Sequence, residues 1–164
     1  KKPVIAAVQG GAIGGGLGLS LVADFRIGCP ESRFSANFSR LGFHQGFGTT
    51  VTLPRVVGPQ SAAMMMLTGR RLKGQEAFDI GLIDYLVPLK EVRSKAIELA
   101  EEVSEAGPLA VQSIRATIRA GLAEQVEEIV SWELSEQVRL QSTKDFKEGI
   151  KASLERRKPK FESS

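Results

Sequence analysis

The feature that most constrains this chain is a glycine-rich turn set between two apolar segments. An apolar run at 3–8 precedes the turn, and a second apolar segment at 19–23 follows it. A continuous apolar run is typical of a parallel strand that is covered on both faces. With another strand predicted at 24–28, the order strand, turn, helix, strand indicates a βαβ unit. We therefore expect an α/β protein.

The rest of the sequence predicts short strands followed by many helices. Strands are expected at 33–35 and 82–87, with an ordered loop at 36–48 between them. Helices are expected at 49–57, 59–68, 75–80, 89–105, 108–120, 122–140 and 144–154. In the helix at 122–140, apolar residues recur at three- and four-residue spacing, which gives one stripe: Leu122, Val126, Ile129, Val130 and Leu134. This stripe packs either on the chain's own sheet or on a partner subunit.

Composition and charge exclude several classes of protein. Hydrophobic residues make up 42% and charged residues 25% of the 164, the values of a globular rather than a disordered chain. No apolar run is long enough to span a membrane. With one cysteine, Cys29, and one histidine, His44, neither an internal disulfide nor a clustered metal site is expected. Residues 1–60 contain six basic and two acidic side chains, which is not the clustered basic face of a nucleic-acid-binding protein.

The glycine turn does not match the common phosphate-binding or nucleophile motifs. Ala12 stands where a dinucleotide fingerprint needs its second glycine, and no lysine follows the turn as a Walker loop requires. Around Ser20 only the first half of a nucleophile elbow is present. A serine peptidase with Ser20 as its nucleophile remains a third alternative beside the two functions developed below.

Three glycines that open a helix can nevertheless bind an anion. The first amides of a helix are unpaired and lie at the positive end of its dipole, and glycine lets a ligand approach them closely. Such donors suit a phosphate or an oxyanion that develops on a carbonyl, where each is worth about 3 to 4 kcal/mol. The alternative is that glycines at 14–16 only permit close packing of helix on strand.

A series of ordered segments extends these observations to a family. The segments are 3–10, Gly14-Gly15-Gly16, Ala23-Asp24-Phe25-Arg26, Phe34, Leu41-Gly42, Gly46-Phe47-Gly48-Thr49, 53–58, 67–71, 77–84 and 148–161. In order and spacing the chain resembles the enoyl-CoA hydratase/isomerase (crotonase) superfamily. The resemblance covers essentially the whole sequence and corresponds to the C-terminal two-thirds of a typical member.

The resemblance implies a partial ββα spiral at 1–88, which carries the glycine turn, and a helical assembly region at 89–164. It implies an acyl-CoA thioester as ligand, with CoA as part of the substrate and no separate cofactor. It also implies a homotrimer or a hexamer, in the cytoplasm or an organelle matrix. By position, the backbone N–H of Gly15 would stabilise a thioester enolate. The family's second oxyanion donor lies in an earlier loop that has no counterpart in this sequence.

Departures from the family pattern concern the acid and base groups. Hydratases of the family use two glutamates, and their positions here hold Gly18 and Phe38. The aspartate of isomerase and dehalogenase branches corresponds to Gly46. The resemblance therefore implies a substrate site lined by Gly14, Gly18, Phe38 and Gly46, wider and more apolar than that of a hydratase. Asp24 is expected to be structural.

Other candidate residues lie in the loop and in the C-terminal tail. His44 lies in the loop that faces the acyl pocket of the family, where it could act as acid, base or orienting donor. Its alternative is a loop histidine bonded to backbone. Lys158, Lys160 and Phe161 correspond to the basic and aromatic groups that family members bring to the CoA nucleotide, or else form a solvated tail.

Two functions from different classes follow. The first is an acyl-CoA enzyme of another reaction type, such as isomerisation, carbon–carbon cleavage or thioester hydrolysis, whose proton carrier is His44 or lies in the earlier segment. The second is a noncatalytic acyl-CoA-binding or assembly subunit. A His, Asp or Glu near the family's earlier oxyanion loop would favour the enzyme.

Overall fold

The computed structural model describes residues 1–164 and contains two small sheets covered by helices. The strands are β1 (Ile5–Val8), β2 (Gly11–Ile13), β3 (Phe25–Gly28), β4 (Arg33–Ser35), β5 (Leu72–Lys73) and β6 (Tyr85–Leu86). The α-helices are α1 (Gly15–Leu21), α2 (Thr49–Thr68), α3 (Gly74–Asp79), α4 (Val92–Glu105), α5 (Pro108–Ile118), α6 (Leu122–Gln141) and α7 (Lys144–Leu154). Short 3₁₀ helices occupy Asn37–Leu41 and Leu89–Glu91.

The chain alternates between the two sheets. The first sheet has the order β1-β3-β6 and is parallel, and the second has the order β2-β4-β5, with β5 antiparallel to β4. Thus β1, β2 and α1 form one turn, and β3, β4 and α2 form the next. In the first sheet Ile5 lies opposite Phe25 with α1 as the crossover, which confirms the predicted βαβ unit and the α/β class.

Strand β2 was not predicted. The sequence placed Gly11–Ile13 inside the glycine turn, since three residues that include a glycine show no apolar alternation. Ala12 pairs with Phe34 of β4 in parallel register, so this strand depends on a partner more than twenty residues away rather than on its own residues.

Helix α2 contains the break that the sequence predicted. It runs from Thr49 to Thr68, but Gly58 inside it has φ 76° and ψ 161°, which is not helical. Pro59, which follows, has no N–H to bond the preceding turn. The two predicted helices therefore exist as two segments that meet at Gly58.

The main core lies between α1, β4, α2 and the segment before β6. Its largest fully buried members are Leu17, Phe34, Leu53, Met65, Leu82 and Ile83. A smaller cluster of Ile27, Cys29, Val92 and Leu99 lies under α4. Helix α1 packs against α2 and β2 with four buried residues, while Gly15 and Gly16 at its start are exposed.

Asp24 joins the C-terminal helices to the sheet. Its carboxylate accepts hydrogen bonds from the amide of Val4 at 2.8 Å, from Nε of Arg115 at 2.8 Å and from Nη1 of Arg119 at 3.0 Å. These contacts are structural, as expected for Asp24, and they fix α5 beside the junction of α1 and β3.

The predicted stripe on α6 divides into two parts. Leu122, Val126 and Ile129 are half-buried, whereas Val130 and Leu134 are 39% and 59% exposed. The inner face continues instead through Glu133, because residues four apart share a helix face. One side of α6 thus packs within the chain, and the other presents apolar side chains. No helix of the chain is both long and apolar enough to cross a membrane.

Candidate functional site

The glycine turn at 14–16 forms the start of α1. Gly14 donates its amide to the Ser35 carbonyl at 2.9 Å, and its φ of 55° with ψ of −117° is a conformation that favours glycine. The first helical hydrogen bond runs from Gly18 N to Gly14 O at 3.1 Å. The amides of Gly15 and Gly16 lie ahead of that bond and have no carbonyl partner in the helix.

The 3₁₀ helix Asn37–Leu41 forms one wall beside the turn. A Cβ placed on Gly14 would lie 3.3 Å from Oδ1 of Asn37 and 3.6 Å from Cζ of Phe38. Phe38 in turn meets Phe43 edge to face at 5.5 Å between ring centroids. The predicted substrate residues Gly14 and Phe38 are therefore adjacent. Asn37, which was not predicted, adds a polar amide to an otherwise apolar wall.

The side chain of Phe47 forms the second wall beside the turn, where a wider pocket was expected. A Cβ on Gly18 would lie 2.7 Å from both Cβ and Cδ1 of Phe47, and one on Gly15 would lie 3.9 Å from its Cδ2. The space left open by the absent carboxylate at position 18 is therefore filled by an aromatic ring. The expected wider pocket is wrong at this point, because the loop brings Phe47 against α1.

His44 lies three residues before Phe47 in the same loop and is half-buried. Its Nδ1 lies 2.8 Å from the Gln45 carbonyl, and its own carbonyl accepts from Nε2 of Gln137 at 3.1 Å. Assigning the proton to Nδ1 satisfies the Gln45 carbonyl and leaves Nε2 as the free acceptor. The atoms nearest the glycine turn come from Asn37, Phe38 and Phe47 rather than from His44.

Gly46, the fourth predicted substrate residue, faces α6. A Cβ there would lie 2.5 Å from Nε2 of Gln137. The segment 44–50, called the loop 44–50 below, consists of the loop at 44–48 and the first two residues of α2. It is in close contact with α6 on one side and with α1, through Phe47, on the other. No local sequence pattern predicts this contact between loop and helix.

Neither of the two acids of the first sixty residues, nor Ser20, offers a reactive group at the glycine turn. Asp24 is occupied by Arg115 and Arg119, and Glu31 is exposed in a turn. The hydroxyl of Ser20, 6% exposed, donates to the Leu17 carbonyl at 2.7 Å. This bond within the helix gives Ser20 a backbone role, so the structure opposes the serine-nucleophile alternative.

An apolar cavity lies beside Gly18, between α1 and the helices α5 and α6. It has a volume of about 550 Å³, and its apolar lining includes Val22, Phe47, Leu122, Val126 and Val130. A second cavity of about 500 Å³ shares Thr52, Arg115, Arg119 and Leu122 with the first. The two guanidinium groups are both paired with the single carboxylate of Asp24, so this group of side chains keeps one net positive charge.

The C-terminal tail folds back on α7. The amide of Lys160 donates to Glu148 at 2.8 Å, and the amides of Glu162 and Ser163 donate to Asp145. The hydrogen bond from Arg157 and the Lys160 amide lower the pKa of Glu148 to about 2. Among the residues predicted for CoA, Lys158 and Lys160 thus lie on a tail held by α7, and Phe161 is partly exposed. Their role toward CoA stays a prediction.

Glu133, a buried carboxylate on α6, was not predicted from the sequence. The side chain is 1% exposed and bonds to the loop 44–50. Its signal was present in the sequence, since Glu133 follows Ile129 by four residues and so lies on the helix face that carries the half-buried apolar residues. A charged residue at such a position indicates a specific partner.

Known proteins resemble this chain along its whole length. The family model described as enoyl-CoA hydratase/isomerase matches residues 1–164. A crotonyl-CoA hydratase of Syntrophomonas wolfei is 37% identical over 98% of this chain and 62% of its own length. A short-chain-enoyl-CoA hydratase of Clostridium acetobutylicum is 34% identical over 96% of this chain and 60% of its own.

Solved structures agree with these sequence comparisons. The carnitinyl-CoA hydratase of Mycobacterium avium superposes with a TM-score of 0.90 at 31% identity, over 99% of this chain and 64% of that one. This chain therefore has part of the α/β crotonase fold with its C-terminal helices, and it spans about 60% of the length of the relatives named above. It belongs to the enoyl-CoA hydratase/isomerase family of the crotonase superfamily.

Proposed function

We propose that this chain binds an acyl-CoA thioester and stabilises its enolate with the backbone amide of Gly15, in a reaction other than two-glutamate hydration. One observation carries the proposal: the unpaired amides of Gly15 and Gly16 lie beside an apolar wall that contains no carboxylate. An amide that meets a developing oxyanion in a dry site contributes about 3 to 4 kcal/mol to the transition state.

The proton carrier in this proposal is His44. A histidine whose Nδ1 is held by a carbonyl keeps one tautomer, which leaves Nε2 as a base. The hydrogen bond to Gln45 O provides that restraint. Isomerisation removes a proton from one carbon and returns one to another, carbon–carbon cleavage delivers a proton to the enolate carbon, and thioester hydrolysis takes a proton from water and gives one to the leaving thiolate. One histidine can accept and then donate the proton in each of these reactions.

A second candidate is a noncatalytic acyl-CoA-binding subunit. It is favoured by the side chains nearest the turn, Asn37, Phe38 and Phe47, none of which exchanges protons near neutral pH. Binding would then use the same amide and the apolar cavity beside Gly18.

The deciding experiment follows the enoyl-thioester absorbance of the full chain with short and medium trans-2-enoyl-CoA esters, and measures ester binding by calorimetry. We expect saturable binding without fast hydration, and product analysis by mass spectrometry then assigns the reaction. Fast hydration contradicts the proposed chemistry. Binding with no product from any ester supports the second candidate, and the absence of binding rejects both.

Assembly and the CoA contacts are part of the same proposal. Apolar side chains on α5 and α6 remain exposed: Leu109, Ile114, Ile118, Trp132, Leu134 and Val138. We expect them to be covered in a homotrimer or hexamer, with Lys158, Lys160 and Phe161 contributing to CoA binding. Light scattering tests the assembly, and a monomer at micromolar concentration contradicts it. Lys160→Ala tests the tail by its effect on CoA-ester affinity.

A further inference from the structure

The loop 44–50 holds an aromatic residue in an unfavourable position. Phe47 has φ 67°, a conformation that non-glycine residues rarely adopt, and its side chain is 54% exposed. Glycines flank it on both sides. Such a conformation persists only when surrounding contacts fix it, so something outside the loop is needed to keep the Phe47 ring against α1.

Glu133 provides the strongest contacts from outside the loop. Its carboxylate accepts from the amide of Gly48 at 2.8 Å, from the amide of Thr50 at 3.1 Å and from Oγ1 of Thr50 at 2.6 Å. The side chain is 1% exposed, and none of the chain's ion pairs includes it. A buried carboxylate without a cation needs its hydrogen bonds to offset desolvation. These three bonds therefore restrain the loop strongly.

Helix α6 makes further contacts on both sides of Phe47. Gln137, one turn beyond Glu133, donates to the carbonyl of His44 at 3.1 Å. Val126 lies two turns before Glu133 and packs against Gly48. A Cβ on Gly48 would lie 2.9 Å from Cγ1 of Val126. One face of α6 thus holds the loop before and after the aromatic residue.

We propose that Glu133 is a positioning residue that holds Phe47 over residues 15–18, so that helix α6 controls the fit of the acyl group at the Gly15 amide. The inference about the acyl group rests on the proposed function. The placement of Phe47 by Glu133 does not, since it follows from the contacts of the chain alone.

Glu133→Gln is the sharpest test. The amide keeps the volume of the carboxylate but presents an NH₂ group to donors that need an acceptor, so at least one of the three bonds becomes unfavourable. The loop's own bonds, from Thr49 Oγ1 to Gly46 O and from Thr52 Oγ1 to Gly48 O, remain. Glu127→Gln is the matched control, because it makes the same change on an exposed part of α6.

The first readout needs no ligand. Hydrogen exchange at the amide of Gly18, which bonds to the Gly14 carbonyl and lies against Phe47, reports whether the ring covers it. We expect exchange there to be about tenfold faster in Glu133→Gln and in Phe47→Ala, and unchanged in Glu127→Gln. Equal exchange in wild type and Glu133→Gln overturns the placement of Phe47 by Glu133, whether or not the protein turns over CoA esters.

The second readout separates positioning from general stability. With the acyl-CoA ester that the wild type binds, Kd or KM should rise about tenfold in Glu133→Gln. The double variant Glu133→Gln/Phe47→Ala should have the same Kd or KM as Phe47→Ala alone. Additive losses mean that Glu133 does not act through Phe47. If Glu133→Gln does not fold, Thr50→Val, which removes one of the three donors and keeps the backbone amide, undergoes the same two measurements. A wild type that binds no ester rejects the proposed function but leaves the exchange result to stand.

Discussion

The aromatic ring of Phe47 packs on the Cα of Gly18, with no room for a Cβ between them. One residue lies on a loop at φ 67° and the other inside a buried helix, so neither side gives way easily. The two positions depend on each other, because Gly18 leaves space for the ring of Phe47 and the ring fills that space.

Gly18→Ala should therefore destabilise the protein, and Phe47→Ala should relieve the loss. A methyl forced against the Cβ and ring of Phe47 costs about 1 to 3 kcal/mol of unfolding free energy. Urea titration of both single variants and the double variant measures the coupling. Gly16→Ala is the control, since a Cβ there would meet nothing nearer than Gly11 O at 4.0 Å. Equal costs at positions 16 and 18 contradict the packing.

Gly15→Pro should abolish turnover while Gly15→Ala keeps most of it. Proline removes the N–H at the first residue of α1, a position where helices tolerate it. A Cβ at Gly15 would make only an ordinary contact with Phe47 at 3.9 Å, so alanine retains the amide without a clash. We expect kcat/KM to fall more than about 100-fold for proline, with the fold checked by circular dichroism. Similar rates for the two variants would remove Gly15 from the mechanism.

His44→Gln should lower kcat and leave ester affinity nearly unchanged. Loss of a general base costs about 100-fold or more in rate, whereas the glutamine can still hydrogen-bond within the loop. Stopped-flow turnover and calorimetric affinity measured on the same preparation separate the two effects. A full rate in His44→Gln would assign the proton transfer to another group.

Asp24→Asn should lower stability in a pH-dependent way. Burial raises the pKa of Asp24, but the hydrogen bond from Arg115, the Val4 amide and the charges of Arg115 and Arg119 outweigh it, so the pKa lies below 3.8. A carboxyl whose pKa is lower in the folded than in the unfolded protein stabilises the fold fully when the pH is above the unfolded-state pKa. This stabilisation is lost as the pH falls through the folded-state pKa. We expect a loss of about 2 kcal/mol at pH 7.

The difference between wild type and Asp24→Asn should then shrink as the pH falls below about 4. Urea titrations from pH 7 to pH 3 measure it, with Glu31→Gln as the control for an exposed carboxylate. A difference that stays constant with pH would show that geometry rather than charge explains the role of Asp24.

Local sequence signals predicted the elements that local forces determine. Strand β4 and helix α7 have the predicted bounds, and Gly58 breaks α2 where the proline after it indicated. Strands β2 and β5 were not predicted, because both exist through pairing with β4 and show no strand pattern of their own. Their pairing partners are distant in sequence and leave no local pattern.

In the candidate site, too, the local motif was predicted and the contacts between distant residues were not. The glycine turn is a local motif, and it is at the start of α1 as predicted. The pocket was predicted to be wider than that of a hydratase, but Phe47 fills the space beside Gly18 from a loop that also contacts α6. Glu133 could have been found from its position on the buried face of its helix, whereas its partners Gly48 and Thr50 lie more than eighty residues earlier and no pattern connects them.

The contacts of Asp24 also bear on how the chain is made. Its two arginine partners lie 91 and 95 residues downstream. During synthesis at about 5 to 20 residues per second, the junction of α1 and β3 waits several seconds for α5 to leave the ribosome. Throughout that interval the Asp24 carboxylate has only the Val4 amide as a partner. Newly made chains thus pass through a stage in which one hydrogen bond, instead of three, holds the Asp24 carboxylate at this corner of the fold.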